Sequence, residues 1–552
     1  MRFFFALRSL LAGAALASVA AEAAPPSPPK LIVAIAVDQF AASLFDRYRP
    51  SFTGGLARLG GGIAFTGYQS HAATETCPGH STILTGRHPA ATGIVANTWF
   101  DSRTGSSTYC VAVRGTADPE ARGPQNLKVD TFGDWLKRAE PGARVVSVSG
   151  KDRAAIMLGG HHADAVYWWV DGVGFATSRY AAPVTPAVTA LAESFNRALF
   201  ARWGAAPPAL WPTDLPASCR AMERPETFGS LRLSGHLPPD AARDVESGPD
   251  FLARTDFQDQ LRVSPLFDPM TVDFAGQLID RDRLGQGPAT DLLAISLSTT
   301  DYIGHRYGNG GPEMCVQMAA LDRALGTLLA KLDGLHVPYL VVLTADHGGS
   351  DAAERAKAQG VDAQRLDPVA FVKALNDDLK ARLALPFDPV VADDPQQLSI
   401  NVGPDEALRA RVRDAAVAWL KGRPEVAAVF TAAETAAAVP APGKPPTELT
   451  VAERFHESYD PQRSGDIQVA LRPLTTVGNP RAAGDVVAGH GSPWDYDRRV
   501  PILFWWPGAP AEPRPDPIET VDIAPTLAAV AQVPAPAVDG RCLPVVAGTC
   551  PR

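Results

Sequence analysis

Residues Tyr339–Gly349 read YLVVLTADHGG. A short apolar run rich in β-branched residues leads through Thr344-Ala345 to Asp346-His347 and a glycine pair. Such a run suits a strand buried on both faces better than a helix. In an open α/β sheet, the site lies just beyond the carboxyl ends of such strands. The same pattern recurs outward from this stretch. Leu31–Val37 (LIVAIAV) runs into Asp38, and Ala143–Val148 (ARVVSV) runs towards Lys151 and Arg153. Leu292–Leu297 (LLAISL) runs towards Asp301, and Val500–Trp505 (VPILFW) reads as another buried strand. Helical patterns lie between them, as in Asp130–Ala139 and Met314–Leu332. The alternation predicts an α/β fold, a doubly wound and mostly parallel sheet.

The 552 residues exceed what one ordinary domain needs, so insertions into a single enlarged core are expected. Hydrophobic content of 46% and charged content of 20% fit a globular chain. The 47 Gly and 50 Pro fall short of the roughly 25–30% that marks low-complexity chains. A net charge of −9 argues against a general nucleic-acid binder, while leaving room for a local basic pocket. Two stretches interrupt the strand–helix alternation. Residues 155–285 hold the aromatic Tyr167-Trp168-Trp169 and many Pro and Gly. Residues 352–480 hold helical patterns at Val369–Leu383 and Pro404–Leu420 and strand-like pieces at Leu398–Val402 and Ile467–Leu471. Both are expected to be caps, which leaves the core as 24–154, 286–351 and 481–552. The Ala/Pro-rich Thr431–Pro446 is expected to be a surface loop.

The N-terminus carries Arg2 and Arg8, then the apolar run Ser9–Ala20, then the small-x-small site Ala21-Glu22-Ala23. That order is the signature of a secretory signal peptide, and the run is shorter than the ~20 residues of a membrane span. Residues 1–23 are expected to be a removed leader, leaving 49 basic and 59 acidic side chains, net −10. No later run is long and apolar enough to suggest a span. A periplasmic or secreted monomer is expected, and export permits disulfides. The six cysteines, 77, 110, 219, 315, 542 and 550, allow ~15 pairings. Cys542 and Cys550 bracket a short loop and are the expected local pair.

Four segments supply metal-ligand types: Asp38, Asp301 with His305, Asp346 with His347, and His490 in Gly489–Ser492. Asp301 and His305 are four apart and share one face if helical. Three carboxylates and three imidazoles form a mixed N/O set that suits zinc. Thr76 and Cys77 open a helix with Pro78 near its first turn. A helix N-terminus suits a phosphate. Thr76 is then either a nucleophile or a simple N-cap, and Cys77 is a rival nucleophile. Lys151 and Arg153 are spaced to hold one phosphoryl group, and Asn97 has an amide to add. Each of these also reads as ordinary loop polarity. His80 is expected to serve local hydrogen bonding, and His71, His88, His161, His162, His236, His336 and His456 show no ligand spacing.

Taken in order, AVDQF, TCPGHSTILTG, GIVANTW, SGKDRAA, YWWVDGVGFATSRY, TTDYIGHRYG, TADHGG and GHGSPWDYDRRVPILFW resemble the alkaline phosphatase superfamily. They are most similar to its secreted bacterial phosphomonoesterases with a threonine nucleophile. The likeness spans most of the chain beyond the leader. It implies two zinc ions, one held by Asp301, His305 and His490, the other by Asp38, Asp346 and His347 and faced by Thr76. It also implies a phosphothreonine intermediate, with Lys151, Arg153, Asn97 and the Cys77 N–H holding the phosphoryl oxygens. Phosphate monoesters are the implied substrates, with broad specificity. The Lys–Arg pair suits a dianion with three free oxygens better than a diester. A phosphodiesterase or nucleotide pyrophosphatase of the same superfamily is the alternative. A non-catalytic phosphate- or zinc-binding protein is another, although it would need no hydroxyl beside its metals. A sulfatase would need Cys-x-Pro-x-Arg, whereas Pro78 directly follows Cys77.

Overall fold

The computed structural model describes residues 28–101, 104–243 and 254–550. The expected leader lies outside them. Nine strands form the main sheet: β1 (Leu31–Val37), β2 (Ile63–Tyr68), β3 (Val145–Ser149), β4 (Ala165–Val170), β5 (Gly174–Ala176), β6 (Asp291–Leu297), β7 (Tyr339–Thr344), β8 (Arg499–Trp505) and β9 (Glu512–Glu519). Their order is β9-β2-β8-β7-β1-β6-β3-β4-β5. The five central neighbours β7, β1, β6, β3 and β4 run parallel.

Residue alternation on β1 supplies both cores. Leu31, Val33, Ile35 and Val37 enter the cluster on one face, and Ile32 and Ala34 the cluster on the other. Every β1 residue is buried. Burying one large aliphatic side chain contributes roughly 1.5–3 kcal/mol, so a strand of this composition is stable only between two covered faces. Among the covering helices is α4, Pro312–Asp333, whose apolar side chains join the first cluster.

Three expectations are corrected. First, β8 is antiparallel to both β7 and β2. It sits inside the sheet, buried on both faces, so its continuous apolar run carries no information about direction. Second, the expected cap 155–285 is partly core. β4 pairs with β3, and β5 pairs with β4. Tyr167 meets Phe274 edge-on at 5.1 Å and Phe175 stacks on Phe274 at 4.3 Å, so the aromatic stretch is sheet-edge packing. Third, Thr431–Pro446 is not all loop. Ala432–Ala437 is helical, because Thr431 and Glu434 form a reciprocal capping box.

Residues 390–471 build a separate four-stranded sheet from Val390–Asp394, Gln397–Ile400, Val426–Thr431 and Ile467–Leu471. Helices Pro368–Leu383 and Glu406–Lys421 pack on it around their own apolar cluster. The disulfides are Cys77–Cys110, Cys219–Cys315 and the expected Cys542–Cys550. Among the described residues no helix is long and apolar enough to cross a membrane.

Candidate active site

The parallel strands end nearly level. Val37 pairs with Leu297, Ala36 with Thr344, and Ser149 with Ser296. The residues just beyond these ends therefore converge. Asp38 comes directly after β1, Asp346 two residues after β7, and Lys151 two residues after β3. Helix α3 (Thr299–Tyr307) follows β6 and carries Asp301 and His305 one turn apart. Helix α1 (Thr76–Ile83) begins at Thr76, and helix α2 (Asp152–Gly159) has Lys151 as its N-cap. At Gly79 of α1, a Cβ would stand 2.0 Å from the Asp346 carbonyl oxygen. Only glycine allows that approach of helix to strand end.

Asp301, His305 and His490 bring ligand atoms within 4.8 Å of one another, and so do Asp38, Asp301 and His347. Asp346 adjoins the second group. His347 Nε2 is 3.3 Å from Asp346 Oδ2 and 3.5 Å from Asp38 Oδ1. The Nδ1 atoms of His305, His347 and His490 lie 2.9, 2.9 and 2.7 Å from the carbonyls of Ala488, Gly348 and Thr74. A carbonyl only accepts, so each Nδ1 carries the hydrogen and each Nε2 turns a lone pair inward. The Nε2 atoms of His305 and His490 face each other at 3.2 Å. Asp38 Oδ1, Asp301 Oδ1, Asp346 Oδ2 and His347 Nε2 are buried without a hydrogen bond. So many buried acceptors are costly unless a cation gathers them. These residues fit a metal centre with mixed N/O donors.

The local electrostatics agree. Burial, with the charges of Asp301 and Asp346, holds the Asp38 carboxyl well above the usual range. Burial also opposes ionisation of Asp301, but His305 and Lys151 outweigh it and keep Asp301 well below. At Asp346 burial is outweighed by His347 and His80. Burial pushes His347 down to about 3, which keeps it in the neutral, ligating form. His80 lies behind this group, bonded to Ser296 Oγ and the Thr76 carbonyl at 2.9 Å each.

Thr76 is the first helical residue and not the cap. Glu75 holds the N-cap position and makes no side-chain cap bond. Cys77 is joined to Cys110 and has no free thiol to attack with. Arg153 Nη2 donates to Thr76 Oγ1 at 3.5 Å. Lys151 Nζ lies 2.5 Å from both Asp38 Oδ2 and Asp301 Oδ2, and 4.9 Å over the Tyr302 ring. Burial disfavours its charge, yet Asp301 and Asp38 raise its pKa. The Cys77 N–H donates to Asn97 Oδ1 at 2.8 Å. Cys77 thus orients the Asn97 amide, leaving its NH₂ end free, and is not itself an open anion donor.

Tyr109, Asp152 and Arg122 escaped the sequence reading. Tyr109 donates to Asp152 Oδ1 at 2.6 Å and accepts from Arg153 Nη1 at 3.5 Å. Arg122 Nε holds the other Asp152 oxygen at 3.1 Å. Asp152 stands between Lys151 and Arg153 in sequence, which was a usable signal. Tyr109 had only its neighbour Cys110 to mark it.

Comparison with known proteins bears on this geometry. Residues 32–492 match the model of the type I phosphodiesterase / nucleotide pyrophosphatase family. The chain belongs to this family. Among curated family relatives, alkaline phosphatase PhoK of a Sphingomonas species is 43% identical over 95% of this chain and 92% of its own. Alkaline phosphatase PhoD of Zymomonas mobilis is 44% identical over 96% and 90%. The crystal structure of alkaline phosphatase PafA superposes with a TM-score of 0.81 at 27% identity, covering 95% of this chain and all of the other. A PafA mutant with substituted threonine, asparagine, lysine and arginine superposes at 0.79. Those are the residue types of Thr76, Asn97, Lys151 and Arg153, in the same order. The mixed, mostly parallel sheet is that of PafA, within the alkaline phosphatase superfamily.

Proposed function

We propose that the chain is an exported alkaline phosphatase that hydrolyses phosphate monoesters of broad structure through a phosphothreonine at Thr76. The observation that carries the reading is the convergence of three things at one point: the Thr76 hydroxyl, the Arg153 guanidinium 3.5 Å from it, and the group of buried, unbonded carboxylate and imidazole atoms. A binding protein has no use for that hydroxyl.

Asp301, His305 and His490 would hold one zinc ion, and Asp38, Asp346 and His347, with Thr76, the other. Two zinc ions, when bound, would supply Lewis-acid chemistry, lowering hydroxyl and water pKa values and offsetting developing alkoxide charge. The chain's residues do the rest. Thr76 Oγ1 gives up its proton and attacks phosphorus; its new O–P bond forms as the ester O–P bond breaks, and the leaving group departs as the alcohol after taking up a proton. Water then cleaves the phosphothreonine and releases inorganic phosphate. Arg153 and Lys151 hold the non-bridging oxygens, and Asn97 adds an N–H from its fixed amide. The positive end of α1 faces the same group. Lys151 pairs here with Asp38 and Asp301; with those carboxylates engaged by metal, its ammonium would be available to the phosphoryl group. The three disulfides support a periplasmic or secreted location, and we assign the chain as a monomer.

The family's description also covers phosphodiesterases. A diester has one negative charge fewer and a second substituent where the Lys–Arg clamp closes. Turnover of 4-nitrophenyl phosphate against methyl 4-nitrophenyl phosphate decides. We expect kcat/KM for the monoester to exceed the diester by at least about 10²-fold, the scale of lost charge contacts in a transition state. A preference for the diester overturns the reading.

A further inference from the structure

His490 is placed differently from the other candidate ligands. Asp38, Asp301 and Asp346 follow strands of the main sheet within a few residues, and His305 and His347 belong to the same segments. His490 comes from residues 478–494, a stretch without helix or strand. Just after it, Gly491 takes φ +105°, a conformation that glycine enters without strain. No ladder of backbone bonds fixes this imidazole, so its position depends on individual anchors.

Those anchors lie on both sides of it. On the α3 side, the Val487 N–H donates to the His305 carbonyl at 2.7 Å, and His305 Nδ1 donates to the Ala488 carbonyl at 2.9 Å. On the other side Thr74 takes hold twice. Its carbonyl accepts from His490 Nδ1 at 2.7 Å, and its hydroxyl donates to the Ser492 carbonyl at 2.8 Å. Gln396 Nε2 donates to the Gly491 carbonyl at 2.9 Å. Asp497 Oδ2 accepts the Ser492 N–H at 2.9 Å and the Ser492 hydroxyl at 2.6 Å. Of these anchors, Thr74 belongs to the segment of the nucleophile, two residues before Thr76. Thr74 is fully buried, and its own N–H is bonded to the Ala72 carbonyl at 2.9 Å.

Resting on the metal reading above, we propose that Thr74 is a positioning residue whose hydroxyl locks the His490 loop to the segment carrying Thr76. The imidazole and the attacking oxygen are then set as one unit. Thr74 acts through His490, holding its Nε2 where it meets His305 Nε2 and Asp301 Oδ1. A valine at this position has nearly the same shape and no hydroxyl. It leaves the Ser492 carbonyl without its donor and the loop free to shift. The backbone bond from His490 Nδ1 to the Thr74 carbonyl survives, so the imidazole keeps its tautomer and the loss is partial.

The test titrates zinc into metal-free protein against a competing chelator. It compares the unaltered protein with Thr74→Val and Thr74→Ala, which remove the hydroxyl, and with Thr74→Ser, which keeps it. We expect two ions per chain in the unaltered protein. In the valine and alanine variants one ion should bind at least about tenfold more weakly, the scale for losing a partner behind a metal ligand, while the other keeps its affinity. Thr74→Ser should restore the weakened ion to within about threefold, since the hydrogen bond returns. In a His490→Ala background that ligand is already gone, so adding Thr74→Val should weaken zinc no further. Unchanged affinities in the valine and alanine variants, equal losses at both ions, or a loss that persists in the His490→Ala background overturns the positioning role alone. An unaltered protein that takes up no zinc overturns the metal reading, and the positioning role with it.

Discussion

Asp38 directly follows a β-strand and Asp394 ends one, but they are held in different ways. Asp38 is fully buried, at the end of a strand bonded on both sides and covered on both faces. Its neighbours in space are other strand ends. Asp394 ends a part-exposed strand of the small sheet, and its hairpin is docked by two side-chain to backbone bonds. The difference teaches a division of labour. Chemistry that depends on placement within tenths of an ångström is hung on the rigid sheet. The hairpin that carries Asp394 belongs instead to the separate four-stranded sheet.

The largest effect should come from the rigid side. Thr76→Ala should lower kcat by at least about 10⁴-fold, because it removes the attacking atom itself. Metal content measured by mass spectrometry should be nearly unchanged, since the Asp and His ligands remain. Retained activity would break the nucleophile assignment. Stripping the metals with a chelator should abolish turnover and lower Tm by more than about 5 °C, since a tightly bound ion stabilises only the folded state. A protein whose Tm ignores the chelator would mean that the buried, unbonded atoms have some other remedy.

Lys151→Ala should come next, costing about 10²–10³-fold on a monoester and clearly less on the matched diester. Equal losses on both would mean that Lys151 serves the metal ligands and not the substrate dianion. Smallest on the rigid side is Tyr109→Phe. It removes one hydrogen bond to Asp152 and one to Arg153, and should lower kcat/KM for monoesters by about three- to tenfold. The loss should appear mainly on the monoester. An equal loss on the diester would mark Tyr109 as a packing residue.

Much of this site was legible because the sheet writes itself into sequence. A strand covered on both faces must be apolar throughout, so LIVAIAV and YLVVL announced themselves, and the polar residue after each run was already a candidate. The same rule explains the failures. Full burial hides direction, so VPILFW gave no sign that β8 runs antiparallel. Aromatic content hides location, so Tyr167-Trp168-Trp169 read as a cap although Tyr167 packs on Phe274 at the sheet edge. Asp394 lies in ADDPQQ, which reads as a turn and nothing more. The bond from Thr74 to Ser492 joins segments 418 residues apart. The Cys77–Cys110 bond has the same character, since ~15 pairings are equal on paper.

Residue types and their order along the chain determined the class of fold, the candidate metal-ligand residues and the candidate Lys–Arg pair, because short-range periodicity and local spacing carry them. Tertiary structure alone decided which lone pairs face each other, that the Cys77 N–H is spent on Asn97, and that Thr74 joins the nucleophile segment to the His490 loop. Those facts depend on how distant segments pack. Packing is settled by the burial of the whole chain at once and leaves no periodic trace at any single position.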